Sequence, residues 1–249
     1  MRFMSYNLRV DTLVDKEHTW TNRIPAARHV FLTLAPDVLG IQEGLLHQVQ
    51  EISSWTGDYI RFGRGRLADS SGESVSIFFR RDRFQCLEGG HFWLSDTPDV
   101  PGSATFGNTI PRMVTWVRLK EMGSQRRTWF VVNTHLDHAS EPARQKGALM
   151  IADFVRKAAG DSYVVVTGDF NAVPDSLAVQ TMLRTGLVDA VAKAGDAGPT
   201  YHGYRGEDGG RIDYVFSDPR LRVTGGGVFR ERVDGRFPSD HYPIYADLE

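Results

Sequence analysis

Hydrophobic and polar positions along this chain follow two periods. Short apolar runs that end abruptly in polar residues read as strands, and apolar residues three or four apart read as helices. Arg2–Leu8 opens the chain as a partly apolar strand. Arg23 to Ala35 places Ile24, Ala27, Val30, Phe31 and Leu34 on one helical face. Thr21 or Asn22 is its candidate cap, and Pro25 is expected in its first turn. Val38–Glu43 is a second strand, followed by a helix near Leu46 to Ser54. From Tyr59 to Leu119 strands and turns dominate, with strand candidates at Ser74–Phe79 and Val114–Leu119. Between these two, Ser95 to Pro111 is rich in Pro, Gly, Ser, Thr and Asn and reads as a long loop, the kind that is usually functional or mobile. Thr128–His135 is a further strand, Glu141 to Ala159 a helix, and Ser176 to Arg184 another. The last strands are Arg211–Phe216 and Tyr242–Ala246, where Pro243 implies an edge strand or a late start. Gly225-Gly226-Gly227 reads as a turn. Strands and helices alternate in both halves, and no linker or low-complexity segment divides them. One α/β domain over residues 1–249, with two sheets and helices outside, is the expected architecture.

The stretch Val164 to Asn171 concentrates the chemistry. Val164, Val165 and Val166 form a β-branched run, as in a strand covered on both faces. Gly168 permits a turn or a close backbone approach. Asp169 and Asn171 follow two residues apart, and in extended chain they point the same way. They read either as the walls of a site for a hard metal ion or a water, or as an Asx turn ending the strand. Other strand ends tip the balance. Asn7 ends the first strand and Glu43 the second; His135 and Asp137 precede the long helix; Asp213 lies in the strand Arg211–Phe216; Ser239-Asp240-His241 precedes the last strand. Buried polar groups need partners, and in open α/β sheets ligands bind at strand ends. Oxygen ligands and amides suit Mg²⁺ or Mn²⁺ rather than zinc. A carboxylate-held ion of this kind clamps a phosphoryl oxygen, and a second carboxylate can deprotonate water.

Composition narrows the picture little. At 249 residues the chain buries a core without staples, and its formal net charge of -2 advertises no general affinity for nucleic acid. Cys86 is the only cysteine, which excludes an internal disulfide and a cysteine-rich zinc site. Met1–Asn7 contains no apolar core of a signal peptide, so a cytoplasmic location is expected. No run approaches the roughly 18 apolar residues of a membrane span. A monomer is expected.

Six motifs in order, Tyr6-Asn7, Ile41-Gln42-Glu43, Asn133-Thr134-His135, Gly168-Asp169-Phe170-Asn171, Arg211-Ile212-Asp213-Tyr214 and Ser239-Asp240-His241, resemble those of the endonuclease/exonuclease/phosphatase superfamily. That group includes pancreatic-type deoxyribonuclease, deadenylases, neutral sphingomyelinases and inositol-polyphosphate phosphatases. Phe92–Ser95, Pro111-Arg112, His135–His138 and Thr200–Tyr204 resemble a bacterial branch of unsettled substrate. The resemblance implies a four-layer α/β/β/α sandwich, DNase-like, with two packed mixed β-sheets flanked by helices. It implies Glu43 as principal metal ligand for Mg²⁺ or Mn²⁺, with Asn7 beside it and Asp240 on the metal side. It implies Asp169 as the group that activates water, Asn171 on the phosphate or that water, His241 and His135 on the phosphate, and Asp213 behind His241. Glu73 is expected to pair with His135. Arg112 either binds a substrate phosphate or pairs with a carboxylate, and the family-like segment favours the site. His202 and Tyr204 are expected at the substrate mouth. His138 either reaches the site or is a plain loop residue. The reaction implied is in-line attack of water on a phosphodiester of nucleic acid or nucleotide type. The alternative is a sugar phosphate, inositol phosphate or phospholipid head group, and a non-catalytic binding module is disfavoured because no catalytic position is missing. Arg61, Arg64 and Arg66 form a small basic cluster that could meet substrate phosphates.

Overall fold

The apolar runs become the strands of two six-stranded sheets. A computed structural model describes residues 1–55, 57–123, 127–206 and 209–249. In chain order the elements are β1 (Arg2–Asn7), α1 (Trp20–Leu34), β2 (Val38–Gln42), α2 (Leu46–Trp55), β3 (Tyr59–Phe62), β4 (Ile77–Arg80), β5 (Phe84–Trp93), β6 (Met113–Glu121) and β7 (Thr128–His135). There follow α3 (Glu141–Ala158), β8 (Tyr163–Asp169), α4 (Leu177–Arg184), β9 (Val188–Asp189), α5 (Ala190–Lys193), β10 (Asp213–Ser217), β11 (Val223–Val228) and β12 (Ile244–Leu248). The first sheet runs β11-β12-β1-β2-β4-β3 and the second β5-β6-β7-β8-β10-β9. Each carries one parallel pair near its middle, β1 with β2 and β7 with β8. The connections between them contain α1 and α3, the helical crossover that parallel neighbours require.

The layering follows from side-chain alternation. Val165 faces the core between the sheets, with Phe3, Val38, Trp129, Val131, Val215 and Ile244. Val164 and Val166 face the opposite way, into a core formed with Ile151, Val155, Val179 and Met182 of α3 and α4. A strand covered on both faces needs no polar residue, so the valine run is unbroken. On the far side of the first sheet, Met4, Leu39 and Ile41 meet Ala27, Val30, Phe31, Val49 and Ile52 of α1 and α2. The result is helix, sheet, sheet, helix. Burial of each such valine stabilises the fold by roughly 1.5 kcal/mol or more.

Below the strand ends, the space between the sheets turns polar. Gln42 Nε2 donates to Asn133 Oδ1 at 2.8 Å, Thr167 Oγ1 donates to the same oxygen at 3.0 Å, and Asn133 Nδ2 donates to the Ile41 and Ser76 carbonyls. Gln42 and Asn133 belong to the recognised motifs, and with Thr167 they stitch the two sheets together. Gly40 lies against this layer, where a Cβ would collide with Thr167 Oγ1 and Asn133 Oδ1. Arg23, from the buried face of α1, donates to the carbonyls of Leu8, Arg9, His18 and Pro238. It thereby fixes the loop after β1 against the segment before β12.

Several expectations need correction. The cap position of α1 is Thr19, so Pro25 stands beyond the first turn. Gly225-Gly226-Gly227 is not a turn: it belongs to β11, an edge strand paired with β12. β12 begins after Pro243, as a late start, but it lies between β11 and β1 and is not an edge. The strand expected from Ser74 begins at Ile77; Ser74 instead makes bridges to Gly44 and Gly65.

Candidate active site

Strand register brings the polar ends together. In the second sheet Asp169 stands opposite His135 on one side and Asp213 on the other. Gly168 allows this close approach, since a Cβ there would lie 2.5 Å from the Thr134 carbonyl oxygen. In the first sheet Asn7 pairs with Gln42, which places Glu43 just past the edge. The isolated bridge between Tyr201 and His241 closes the ring of segments.

Asn7 links the two sheets. Its Oδ1 accepts the backbone N–H of Arg9, which fixes the amide's orientation, and its Nδ2 donates to Glu43 Oε1 at 3.0 Å and Asp169 Oδ2 at 2.9 Å. Asn7 therefore faces the carboxylates as a donor that spaces them. Its oxygen is turned away from the position expected of a metal ligand.

Asp169 is 1% exposed. Burial, reinforced by the neighbouring charge of Asp213, pushes its carboxyl up to about 7 against the lowering effect of His241. Its Oδ1 accepts the backbone N–H of Asn171 at 2.8 Å. The Asx turn and the clustered-site reading of this stretch thus both describe it. Extended alternation ends at Phe170, and Asn171 adopts φ 46°. Asn171 Nδ2 donates to the Leu136 carbonyl and to His135 Nε2, each at 3.1 Å. An amide nitrogen only donates, so His135 accepts at Nε2 and is neutral, with its proton on Nδ1. Burial and the charges of Arg112 and Arg66 hold its pKa well below the ordinary value, in agreement.

His241 is the opposite case. Burial would lower its pKa, but the charges of Asp213 and Asp169 outweigh burial and hold it well above the ordinary value. Its Nδ1 lies 2.9 Å from Asp213 Oδ2, and its Nε2 lies 3.8 Å from Asp169 Oδ2. Tyr201 packs edge-on against the imidazole. Ser239 of the Ser-Asp-His motif donates to the Asn7 carbonyl at 2.6 Å and accepts from the His241 backbone N–H, a structural clamp.

For Glu43, burial would raise the pKa, but hydrogen bonds from Asn7 and the Val10 N–H, with the charge of His241, bring it below the usual range. Glu43 adopts φ 61° and Arg9 φ 56°. With Asn171, three non-glycine residues in the left-handed region line one cleft, a clustering of backbone strain typical of functional sites. Among the described residues, ligand atoms of Glu43, His135 and Asp169 lie within 4.8 Å of one another, as do those of Asp169, Asp213 and His241. The first group, with two carboxylates and an imidazole whose ligand atoms lie close together, fits a hard divalent ion. Asp240 belongs to neither group; it lines the cleft 3.8 Å from Arg9 Nε.

The cleft has a volume of about 400 Å³. Its walls include Arg66 of the basic cluster, Glu73, Ile110 at the end of the long loop, Arg112 and Tyr201. Glu73 does not pair with His135. It holds Arg66 through two bonds of 2.7 and 2.8 Å. Arg112 stands beside Asp137 and lines the cleft wall, as does His138. Arg9 is a cleft residue that sequence reasoning missed; its only sequence signal is Asp15, six residues on, which pairs with it.

His202 is not at the mouth. It is 2% exposed, held between the rings of Phe237 and Tyr242, and neither ring nitrogen has a hydrogen-bond partner. The aromatic slot takes the imidazole while its neighbour Tyr201 faces the cleft. Burial, with the nearby charge of His241, pushes His202 down to about 4. The folded state therefore binds fewer protons than the unfolded chain, whose histidine titrates near 6.5, and stability is lost as pH falls from about 6.5 toward 4. His202→Phe keeps a ring in the slot and removes this loss. We expect it to stabilise the fold at pH 5 by about 1–2 kcal/mol more than at pH 8. Equal gains at both pH values in urea unfolding would refute the account.

A model of the endonuclease/exonuclease/phosphatase family matches residues 4–241. An endonuclease/exonuclease/phosphatase of Bacteroides vulgatus superposes with a TM-score of 0.93 at 30% identity, covering 100% of this chain and 98% of that one. A mannosyl-6-phosphatase of Bacteroides thetaiotaomicron superposes with a TM-score of 0.90 at 28% identity, covering 100% and 99%. In sequence, nocturnin of Drosophila melanogaster is 26% identical, over 71% of this chain and 32% of nocturnin. The chain spans between 32% and 50% of the length of the curated relatives it matches. With six motifs on the ends of two packed sheets and a family match over nearly its whole length, the chain belongs to the endonuclease/exonuclease/phosphatase family, a family of phosphoester hydrolases.

Proposed function

We propose that this chain is a Mg²⁺- or Mn²⁺-dependent hydrolase of compact phosphoesters, of the size of a sugar phosphate. The observation that carries this reading is the cleft. Its volume of about 400 Å³ suits a small ligand. Its arginines do not form a track for a polyanion, because Arg9 and Arg66 are each bound in two-point pairs to Asp15 and Glu73. The likeness to a mannosyl-6-phosphatase over the full chain supports the same reading.

In this reading Glu43, with Asp169 and His135, would hold the ion, which when bound would supply Lewis-acid polarisation of a phosphoryl oxygen. Asp169 accepts the proton of the attacking water, a task suited to a carboxylate whose burial raises its basicity. His241, kept charged by Asp213, donates from Nε2 to a phosphoryl oxygen. Asn7 keeps Glu43 and Asp169 at fixed spacing. Asn171 holds neutral His135 in place, so that its ring borders the same oxygens.

A panel of hexose phosphates, inositol phosphates, nucleotides and single-stranded oligonucleotides, assayed with Mg²⁺ or Mn²⁺, tests the size class. We expect kcat/KM for the best sugar phosphate to exceed that for internal oligonucleotide cleavage by on the order of 10² or more. The reverse ranking, with oligonucleotide binding that weakens steeply with salt, would restore the nucleic-acid reading.

A further inference from the structure

We propose that Arg112 selects a terminal, dianionic phosphate group, so that this chain prefers phosphomonoesters to phosphodiesters. The proposal rests on the hydrolase reading above and sharpens it.

The three cleft arginines differ in what they already hold. Arg9 commits Nε and Nη2 to Asp15, both at 2.8 Å. Arg66 commits Nη1 and Nη2 to Glu73. Arg112 is only 4% exposed, yet it is incompletely bound. Its Nε stands 3.4 Å from Asp137 Oδ2, a long contact, and its Nη2 meets His138 Nδ1 at 3.0 Å. Its Nη1 is buried and has no hydrogen-bond partner among the described residues. Asp137 cannot serve it better, because Oδ1 of that carboxylate is held by the backbone N–H groups of Ala139 and Ser140. A buried donor left unmade costs about 1–3 kcal/mol, more when it is charged. A charged acceptor is the strongest partner for a guanidinium.

The carboxylates of the cleft have other partners and none hydrogen-bonds this nitrogen: Glu43 is bound to Asn7 and Val10, Glu73 to Arg66, Asp169 to Asn7 and Asn171, and Asp240 stands beside Arg9. The open donor therefore fits an anion brought in by the ligand. Arg112 lines the cleft together with His135 and Glu43, beside which the reading above places the phosphoryl group.

Beside Glu43, a separate recess bounded by Arg66, Glu73, Val75, Pro111 and Arg112 has a volume of about 10 Å³. A phosphoryl oxygen directed into it has room for a water-sized group and not for a carbon substituent. A phosphomonoester offers three terminal oxygens and a charge of about −1.5 to −2 near neutral pH. A diester replaces one of those oxygens with an ester oxygen bearing carbon, and it carries a single charge. The third oxygen is the one Arg112 distinguishes.

The test compares 4-nitrophenyl phosphate with methyl 4-nitrophenyl phosphate, which share a leaving group. The wild type should prefer the monoester. Arg112→Met should reduce kcat/KM for the monoester by on the order of 10²-fold, at least tenfold more than its loss on the diester, and Arg112→Lys should recover part of it. Competitive inhibition gives a second readout: inorganic phosphate should inhibit the wild type far better than dimethyl phosphate, and Arg112→Met should erase that difference. Should Arg112→Met fail to fold, the lysine variant and the wild-type inhibition ratio carry the test. Equal losses on both esters, or a wild-type preference for the diester, would overturn the proposal. A wild type that hydrolyses neither ester under any divalent ion would instead overturn the hydrolase reading itself.

Discussion

Asp169→Asn should reduce kcat by on the order of 10³–10⁴ while leaving the metal-free protein at least as stable as the wild type. The two halves of this expectation have one cause. Asp169 is buried at the end of β8, between His135 and Asp213 of its own sheet and Asn7 of the other. Burial makes its carboxylate basic, which is what a proton acceptor for water needs, and makes it costly to keep ionised. The amide variant keeps an oxygen for the Asn171 N–H but can no longer accept a proton from water. Removal of the buried charge offsets the loss of the Asn7 bond, so the melting temperature should hold or rise, at about 2–4 °C per kcal/mol for a chain of this size. Steady-state kinetics and thermal unfolding of the two proteins check it. Near wild-type turnover would remove Asp169 from the proposed base position; a fall in melting temperature along with activity would make its role structural.

Much of this site was legible because it lies at strand ends, where the change from apolar to polar residues is sharp. Thr128–His135 is a strand with the same bounds in sequence and structure, and its last residue faces the site. The same abrupt change marks Asn7, Glu43, Asp169 and Asp213. Other parts were hidden for physical reasons. β5 contains Glu88, Gly89, Gly90 and His91, and β11 contains three glycines in a row; both are edge strands held by backbone pairing with one neighbour. Side-chain pattern says little about such strands, because only one flank of the backbone is paired.

Orientation was hidden as well. The sequence shows that Asn7 is near Glu43, but only the bond from Arg9 N–H to its oxygen turns its nitrogen toward the carboxylates. The pairing of Glu73 with Arg66 and the slot around His202 depend on loops that meet only in the folded chain. Arg9 belongs to none of the motifs, and its place in the cleft comes from a left-handed backbone and from Asp15. The motif residues Gln42 and Asn133, with Thr167 beside them, carry a different lesson. They are no part of the cleft wall but form the buried polar stitch that sets the distance between the sheets, and so between Glu43 and Asp169.

That distance bears directly on Glu43→Gln, for which we expect a loss of activity on the order of 10³-fold or more together with the loss of stabilisation by divalent ions. Glu43 keeps both oxygens engaged by one donor each, Asn7 on Oε1 and the Val10 N–H on Oε2, which orients the carboxylate and leaves further lone pairs facing the cleft. Those hydrogen bonds and the charge of His241 keep it ionised despite burial. The glutamine variant has the same shape without the charge, and its amide nitrogen must face one of two donors. A ligand that binds only the folded state at 100 times its Kd stabilises by about 2.7 kcal/mol, several degrees in melting temperature at this chain length. Wild-type protein should therefore melt higher as Mg²⁺ or Mn²⁺ is titrated in, and Glu43→Gln should show little or no shift while melting normally without the ion. This readout needs no substrate, so it separates metal binding from the identity of the ester. An unchanged metal-dependent shift in the variant would move the ion away from Glu43, toward the neighbouring group of Asp169, Asp213 and His241. In that case His241 could not remain a charged donor to phosphate, because a ring nitrogen that ligates a metal has given up its proton.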